Sequence, residues 1–199
     1  MGVPPNMADY EGTRRVFRLE VPERFNYVRD VIDERARCSP DALALVATGP
    51  DGAVTTRYTF AGLARAANRA ANALAAHGVG KGDRVFVMLP RIPDWHVALL
   101  GCIARGAVPM PGTPQLTPRD VAYRVGAAEA IAAVTDAEGA EKVDEARSER
   151  PGLKSLFCVG GDRPDGGWLD WADVLDRASE RSPEAEPTRS DDPMILYFT

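Results

Sequence analysis

Two patterns of apolar residues alternate along this chain: stripes at helical spacing, and short runs apolar at almost every position. Phe25 to Ala36 places Phe25, Val28, Val31 and Ile32 on one face and predicts an amphipathic helix. Leu43–Thr48 and Val54–Tyr58 flank Gly49-Pro50-Asp51-Gly52 and predict a hairpin. Thr59 is a suitable N-cap for a helix from Phe60 to about His77, with Leu63, Ala67, Ala70 and Leu74 as its apolar stripe. Arg65, Asn68, Arg69 and Asn72 are expected to face outward, and Gly78 to end the helix in the left-handed region.

From Arg84 onward the order becomes regular. The strand Arg84–Leu89 is apolar on nearly every residue, as in a sheet covered on both faces. A helix follows, opened by Pro93 at its first position and closed by Gly106, then the strand Ala107–Met110. Thr117-Pro118-Arg119-Asp120 reads as a capping-box start for a helix to about Gly126. Strand Ile131–Thr135, helix Ala137–Arg150, strand Leu156–Val159 and a helix Trp171–Ser179 capped by Asp170 complete the alternation. Ser182–Pro193, with three prolines, predicts a surface loop, and Met194–Thr199 a final buried strand. Repeated strand-helix order implies an α/β fold with a largely parallel sheet and flanking helices. Residues 1–24 read as a polar leader before a unit spanning 25–199.

Composition narrows the function classes. The 24 basic and 29 acidic residues leave a net charge of -5, which argues against a nucleic-acid binder. Cys38, Cys102 and Cys158 form no C-x-x-C and suit a reducing compartment, so the protein is read as cytoplasmic. His77 and His96 are the only histidines, which excludes a His-rich metal site. The first fifteen residues lack the apolar core of a secretory signal, and Asn6 stands where myristoylation needs Ser or Thr. The longest hydrophobic stretch, Val97–Ala104, is too short to span a bilayer.

Gly78-Val79-Gly80-Lys81-Gly82-Asp83 has the look of a phosphate loop in the wrong place. Such a loop follows a strand and opens a helix, so that amides and the helix dipole face the anion; these glycines do the reverse. Gly160-Gly161-Asp162 and Gly166-Gly167 also read as turns, and the carboxylates between Glu138 and Glu149 as a solvated helix face. Trp168 and Trp171 read as packing residues.

Two segments call for more than packing: the first runs through Met88–Trp95, Leu99-Leu100-Gly101-Cys102 and Gly106–Gln115, and the second is the terminal Tyr197-Phe198-Thr199. Met88-Leu89-Pro90-Arg91-Ile92-Pro93-Asp94-Trp95 and Gly106-Ala107-Val108-Pro109-Met110-Pro111-Gly112-Thr113-Pro114-Gln115 each end a strand in a proline-rich loop, at the edge where open sheets bind ligands. Together with Phe25-Asn26-Tyr27-Val28, Tyr58-Thr59-Phe60 and the terminal Tyr197-Phe198-Thr199, they make the chain from about Phe25 to Thr199 resemble the AMP-forming acyl-CoA synthetases of the adenylate-forming superfamily. The Met-Leu-Pro-Arg and Met-Pro-Gly-Thr stretches point to the medium-chain branch.

The resemblance implies the first part of the large N-terminal domain of a ligase that joins a medium-chain fatty or aryl carboxylic acid to coenzyme A. ATP, CoA and Mg²⁺ are its expected small-molecule partners. It implies that Thr199 is the first Thr of a phosphate loop and reaches ATP, and that Gln115 contacts CoA, as an amide able to donate and accept. Pro114 departs from the larger apolar residue common in relatives. No catalytic residue or metal ligand is assigned, and oligomer formation is left open. Since most ATP-handling positions of the family lie beyond Thr199, the 199 residues alone are expected to be inactive. The alternative is a truncated, non-catalytic binding or association module, in which an exposed apolar edge beside Met194–Phe198 drives assembly.

Overall fold

Val85, Val87 and Leu89 alternate with Phe86 and Met88, and the computed structural model of the protein sends the two sets to opposite faces of one sheet. The structure describes residues 8–149, 152–161 and 166–198. Strands β3 (Arg84–Met88), β4 (Val108–Gly112), β5 (Ala132–Asp136), β6 (Ser155–Val159) and β7 (Trp168–Asp170) form a parallel sheet in the order β4-β3-β5-β6-β7. Strands β1 (Leu43–Thr48) and β2 (Val54–Thr59) form a separate antiparallel hairpin. The α/β class and the parallel sheet expected from the alternation are therefore observed.

Helices α3 (Phe60–Ala76) and α4 (Pro93–Arg105) cover one face. Leu74, Ala70, Val97, Ala98 and Cys102 pack there on Val85, Val87, Val134 and Phe157, with Trp171 of α7 (Trp171–Arg177). The other face is covered by α5 (Pro118–Ala127) and α6 (Ala137–Glu149), whose Val121, Val125, Ala140 and Val143 meet Phe86, Met88, Met110 and Leu156. The hairpin side is closed by a third cluster of Val28, Ile32, Leu63, Ala67 and Ile103.

Local signals explain the helix ends. The Thr59 hydroxyl accepts from Gly62 N at 3.1 Å, and Thr117 and Asp120 make the reciprocal capping box. Gly106 ends α4 at φ 78° and Gly78 follows α3 at φ 84°, conformations that a side chain disfavours. Gly78–Asp83 is a helix end and turn, with Gly80 N donating to the Asp83 carboxylate at 2.7 Å. His77 makes an edge contact with Phe157 at 5.4 Å and His96 with Trp95 at 4.9 Å.

Several expectations need correction. The segment expected as one helix from Phe25 is a π-helical stretch (Val28–Asp33) followed by α2 (Glu34–Cys38), and Phe25 stays exposed while Val28 and Ile32 are buried. Asn68 does not face solvent: it is 8% exposed, accepts from Arg29 at 3.1 Å and donates to the Glu180 carbonyl at 3.2 Å. The chain after α7 lies over that face of α3, where Asn72 also donates to Ser179 and Arg181 carbonyls. Residues 168–170 form a strand that sequence reasoning missed, and a helix α1 (Tyr10–Val16) forms within the segment expected to be a polar leader. The expected end of the sixth helix at Arg150 and the Asp162 turn fall outside the described residues.

The run Met194–Phe198 is not a strand of the sheet. Among the described residues its backbone makes one hydrogen bond, Leu196 N to Pro109 O at 3.0 Å, and its side chains are exposed or half-buried. Two of the five residues of β4 are prolines, and the carbonyl of Pro109 points to this outer edge. With no N–H at Pro109 or Pro111, that edge can accept but cannot donate at those positions, and a full ladder does not form. Leu196 and Phe198 still pack on the second core cluster.

Candidate functional site

Strand order reverses around β3. The chain leaves β3 through α4 on one face, then leaves β4 and β5 through α5 and α6 on the other. Connections that diverge to opposite faces open a crevice at the carboxyl ends of these strands, where α/β sheets bind ligands. The loops that meet there are the one after Met88, the one from Gly112 to Gln115, and the β5–α6 junction at Thr135–Asp136.

A hydroxyl ties two of these strand ends together. Thr135 is fully buried, and its Oγ1 donates to the Met88 carbonyl at 2.6 Å. Gly139, in the first turn of α6, makes room for that hydroxyl, because a Cβ there would overlap Thr135 Oγ1 and press on Met88. Asp136 caps the same turn, accepting from Gly139 N at 2.9 Å.

The β4–α5 loop is held from both sides. Leu116 is 7% exposed and seats the loop in the core, and its N–H closes a turn onto Thr113 O at 3.1 Å. On the opposite side Lys142 of α6 donates to Pro114 O at 2.7 Å while its ammonium also binds Glu138 at 2.8 Å. That ammonium holds the Glu138 carboxyl below the usual carboxylate range. Gln115 stands between the two anchors, exposed. The structure thus places Gln115 on a pinned loop at the ligand edge, and Thr199 falls outside the described residues.

Beside the β3 loop, burial of Asp94 pushes its carboxyl above the ordinary value, against the backbone hydrogen bond at the start of its own helix. Trp171 is 1% exposed, whereas Asp94 is half-buried. Sequence reasoning passed over Thr135, Gly139 and Lys142. A glycine one turn into a helix that follows an apolar strand was the available signal for the first two; Lys142 was hidden in what read as a solvated face.

Among the described residues no group of three His, Cys, Asp or Glu side chains could hold a metal ion. Among them, too, no helix is long and apolar enough to cross a membrane.

The family described as AMP-binding enzyme matches residues 32–199. Acyl-coenzyme A synthetase ACSM4, mitochondrial, of Rattus norvegicus is 37% identical over 202 aligned positions, covering 98% of this chain and 34% of that protein. Acyl-coenzyme A synthetase ACSM3, mitochondrial, of Mus musculus is 33% identical, again over 98% of this chain and 34% of its own length. The fold also matches the crystal structure of Brucella canis acyl-CoA synthetase with a TM-score of 0.80 at 22% identity, covering 97% of this chain and 34% of that one. The chain therefore spans about a third of the length of the relatives it matches. A match over residues 32–199 together with 37% identity across nearly the whole chain leads to one conclusion: this chain belongs to the AMP-binding enzyme family.

Proposed function

We propose that this chain is the first part of the large N-terminal domain of an AMP-forming acyl-CoA ligase acting on medium-chain fatty or aryl carboxylic acids. The observation that carries this reading is the 37% identity to an acyl-coenzyme A synthetase across 98% of the chain. The division into a leader through residue 24 and an AMP-binding domain from residue 25 belongs to the same proposal, supported by a family match that starts at residue 32.

In the proposed reaction a carboxylate oxygen of the acid attacks the α-phosphorus of ATP and pyrophosphate leaves, giving an acyl-adenylate. The sulfur of CoA then attacks the acyl carbon, AMP leaves and the thiol proton is released. Gln115 is proposed to contact CoA, supported by its position on a pinned loop at the carboxyl edge of β4. Thr199 is proposed to reach ATP phosphates, on the strength of the Tyr-Phe-Thr resemblance. Mg²⁺ is proposed to accompany ATP as part of that substrate. A cytoplasmic location is proposed from cysteine usage; the relatives named above are mitochondrial, and cell fractionation decides between the two.

The test is product analysis with the complete gene product, given ATP, CoA and either octanoate or benzoate. The expected result is acid-dependent formation of AMP and acyl-CoA in equal amounts, with the better acid showing the branch. AMP-free turnover, or none with any carboxylic acid, contradicts the proposal. The 199 residues assayed alone are expected to yield no acyl-CoA, because most positions that the resemblance assigns to ATP are not in this sequence.

A further inference from the structure

The Gln115 loop is tethered by more than the turn itself needs. A carbonyl on a solvent-facing loop can be satisfied by water at little cost, yet Pro114 O takes a hydrogen bond from a lysine ammonium at 2.7 Å. The lysine side chain is only 22% exposed, whereas its carboxylate neighbour Glu138 is 74% exposed. An exposed helix pair of this kind contributes little, so the loop carbonyl is the contact that decides where the Lys142 ammonium sits. The tether ends one residue before Gln115, and the buried Leu116 begins one residue after it. A side chain between two fixed points loses less freedom when it meets a ligand, which raises affinity without adding a contact. Lys142 rises from the helix that follows β5, and the loop from the end of β4, so the tether also joins these two connections on one face of the sheet.

We infer that Lys142 is a positioning residue for CoA: it holds the Pro114 carbonyl so that the Gln115 amide is preset for the incoming cofactor. This rests on the reading of Gln115 as a CoA contact. Lys142 touches no reacting atom in this role, and acid activation by ATP does not depend on it.

The experiment measures KM for CoA and, separately, acid-dependent exchange of pyrophosphate into ATP without CoA, in the complete gene product. Lys142→Met keeps the stem length and removes the donors. The expected result is a rise in KM for CoA of about three- to tenfold, the size of one lost hydrogen bond, with exchange unchanged. Lys142→Arg should restore most of the affinity. Gln115→Ala should raise KM similarly, and the double variant should add little, since one residue acts through the other. If Gln115→Ala raises KM and Lys142→Met leaves it unchanged, the positioning role is overturned while the CoA reading stands. If Gln115→Ala has no effect, the CoA reading itself fails. Equal losses in exchange and in CoA use by Lys142→Met, with a lowered Tm, mark a merely structural lysine and also overturn the inference.

Discussion

Single residues at the carboxyl edge carry more constraint than their type suggests. Thr135 is a buried hydroxyl whose donor goes to the Met88 carbonyl, tying the ends of β5 and β3. Thr135→Val keeps the shape and removes that donor, and is expected to lower stability by about 1–3 kcal/mol, read from denaturant unfolding. Gain from the added methyl is smaller, because the site is already packed and the Met88 carbonyl loses its partner. Asp94 gives a pH-dependent expectation. Burial raises its folded carboxyl above 3.8, so its contribution is fully favourable below that pH and is lost as pH rises through the folded value. The stability of Asp94→Asn relative to the native protein should therefore increase between about pH 4 and pH 7. A difference that stays flat across that range refutes the assignment.

At the scale of elements, the α3–α4 contact is the tightest helix pairing of the first face. A Cβ at Gly101 would overlap Ala70 Cβ and approach the Ala70 and Ala71 backbone at 3.1 Å. Gly101→Ala gains up to about 1 kcal/mol of helix propensity, but displacing a packed helix costs about 1–3 kcal/mol, so net destabilisation is expected. Ala70→Gly in the same chain should recover part of the loss, which thermal unfolding of the pair measures. The element order was readable because stripes such as Leu63, Ala67, Ala70 and Leu74 repeat at helical spacing and are all buried. Caps at Thr59, Thr117 and Asp170 were readable because their partners lie three residues away. Asn68 was not, since its partners Arg29 and Glu180 come from distant parts of the chain. Nor was the fate of Met194–Phe198: its composition favours a strand, and the prolines of the neighbouring β4 edge overrule it.

For the whole molecule, the three-layer α/β architecture follows from strands apolar on both faces, and the ligand edge follows from where strand order reverses. Sequence motifs led to the Gly112–Gln115 loop, but the residues that hold it, Lys142 and Leu116, became visible only when α6 and the core were placed around it. Lys142 belongs to a run of charges, and nothing in its spacing separates a tether to the next loop from a surface pair with Glu138.

Acid-dependent exchange of labelled pyrophosphate into ATP by the complete gene product, without CoA, tests the ligase assignment most directly. Label entering ATP only when a medium-chain or aryl carboxylic acid is present is the expected result, because an acyl-adenylate forms reversibly before CoA acts. Acyl-CoA formation that proceeds with ADP as product and no exchange would contradict it.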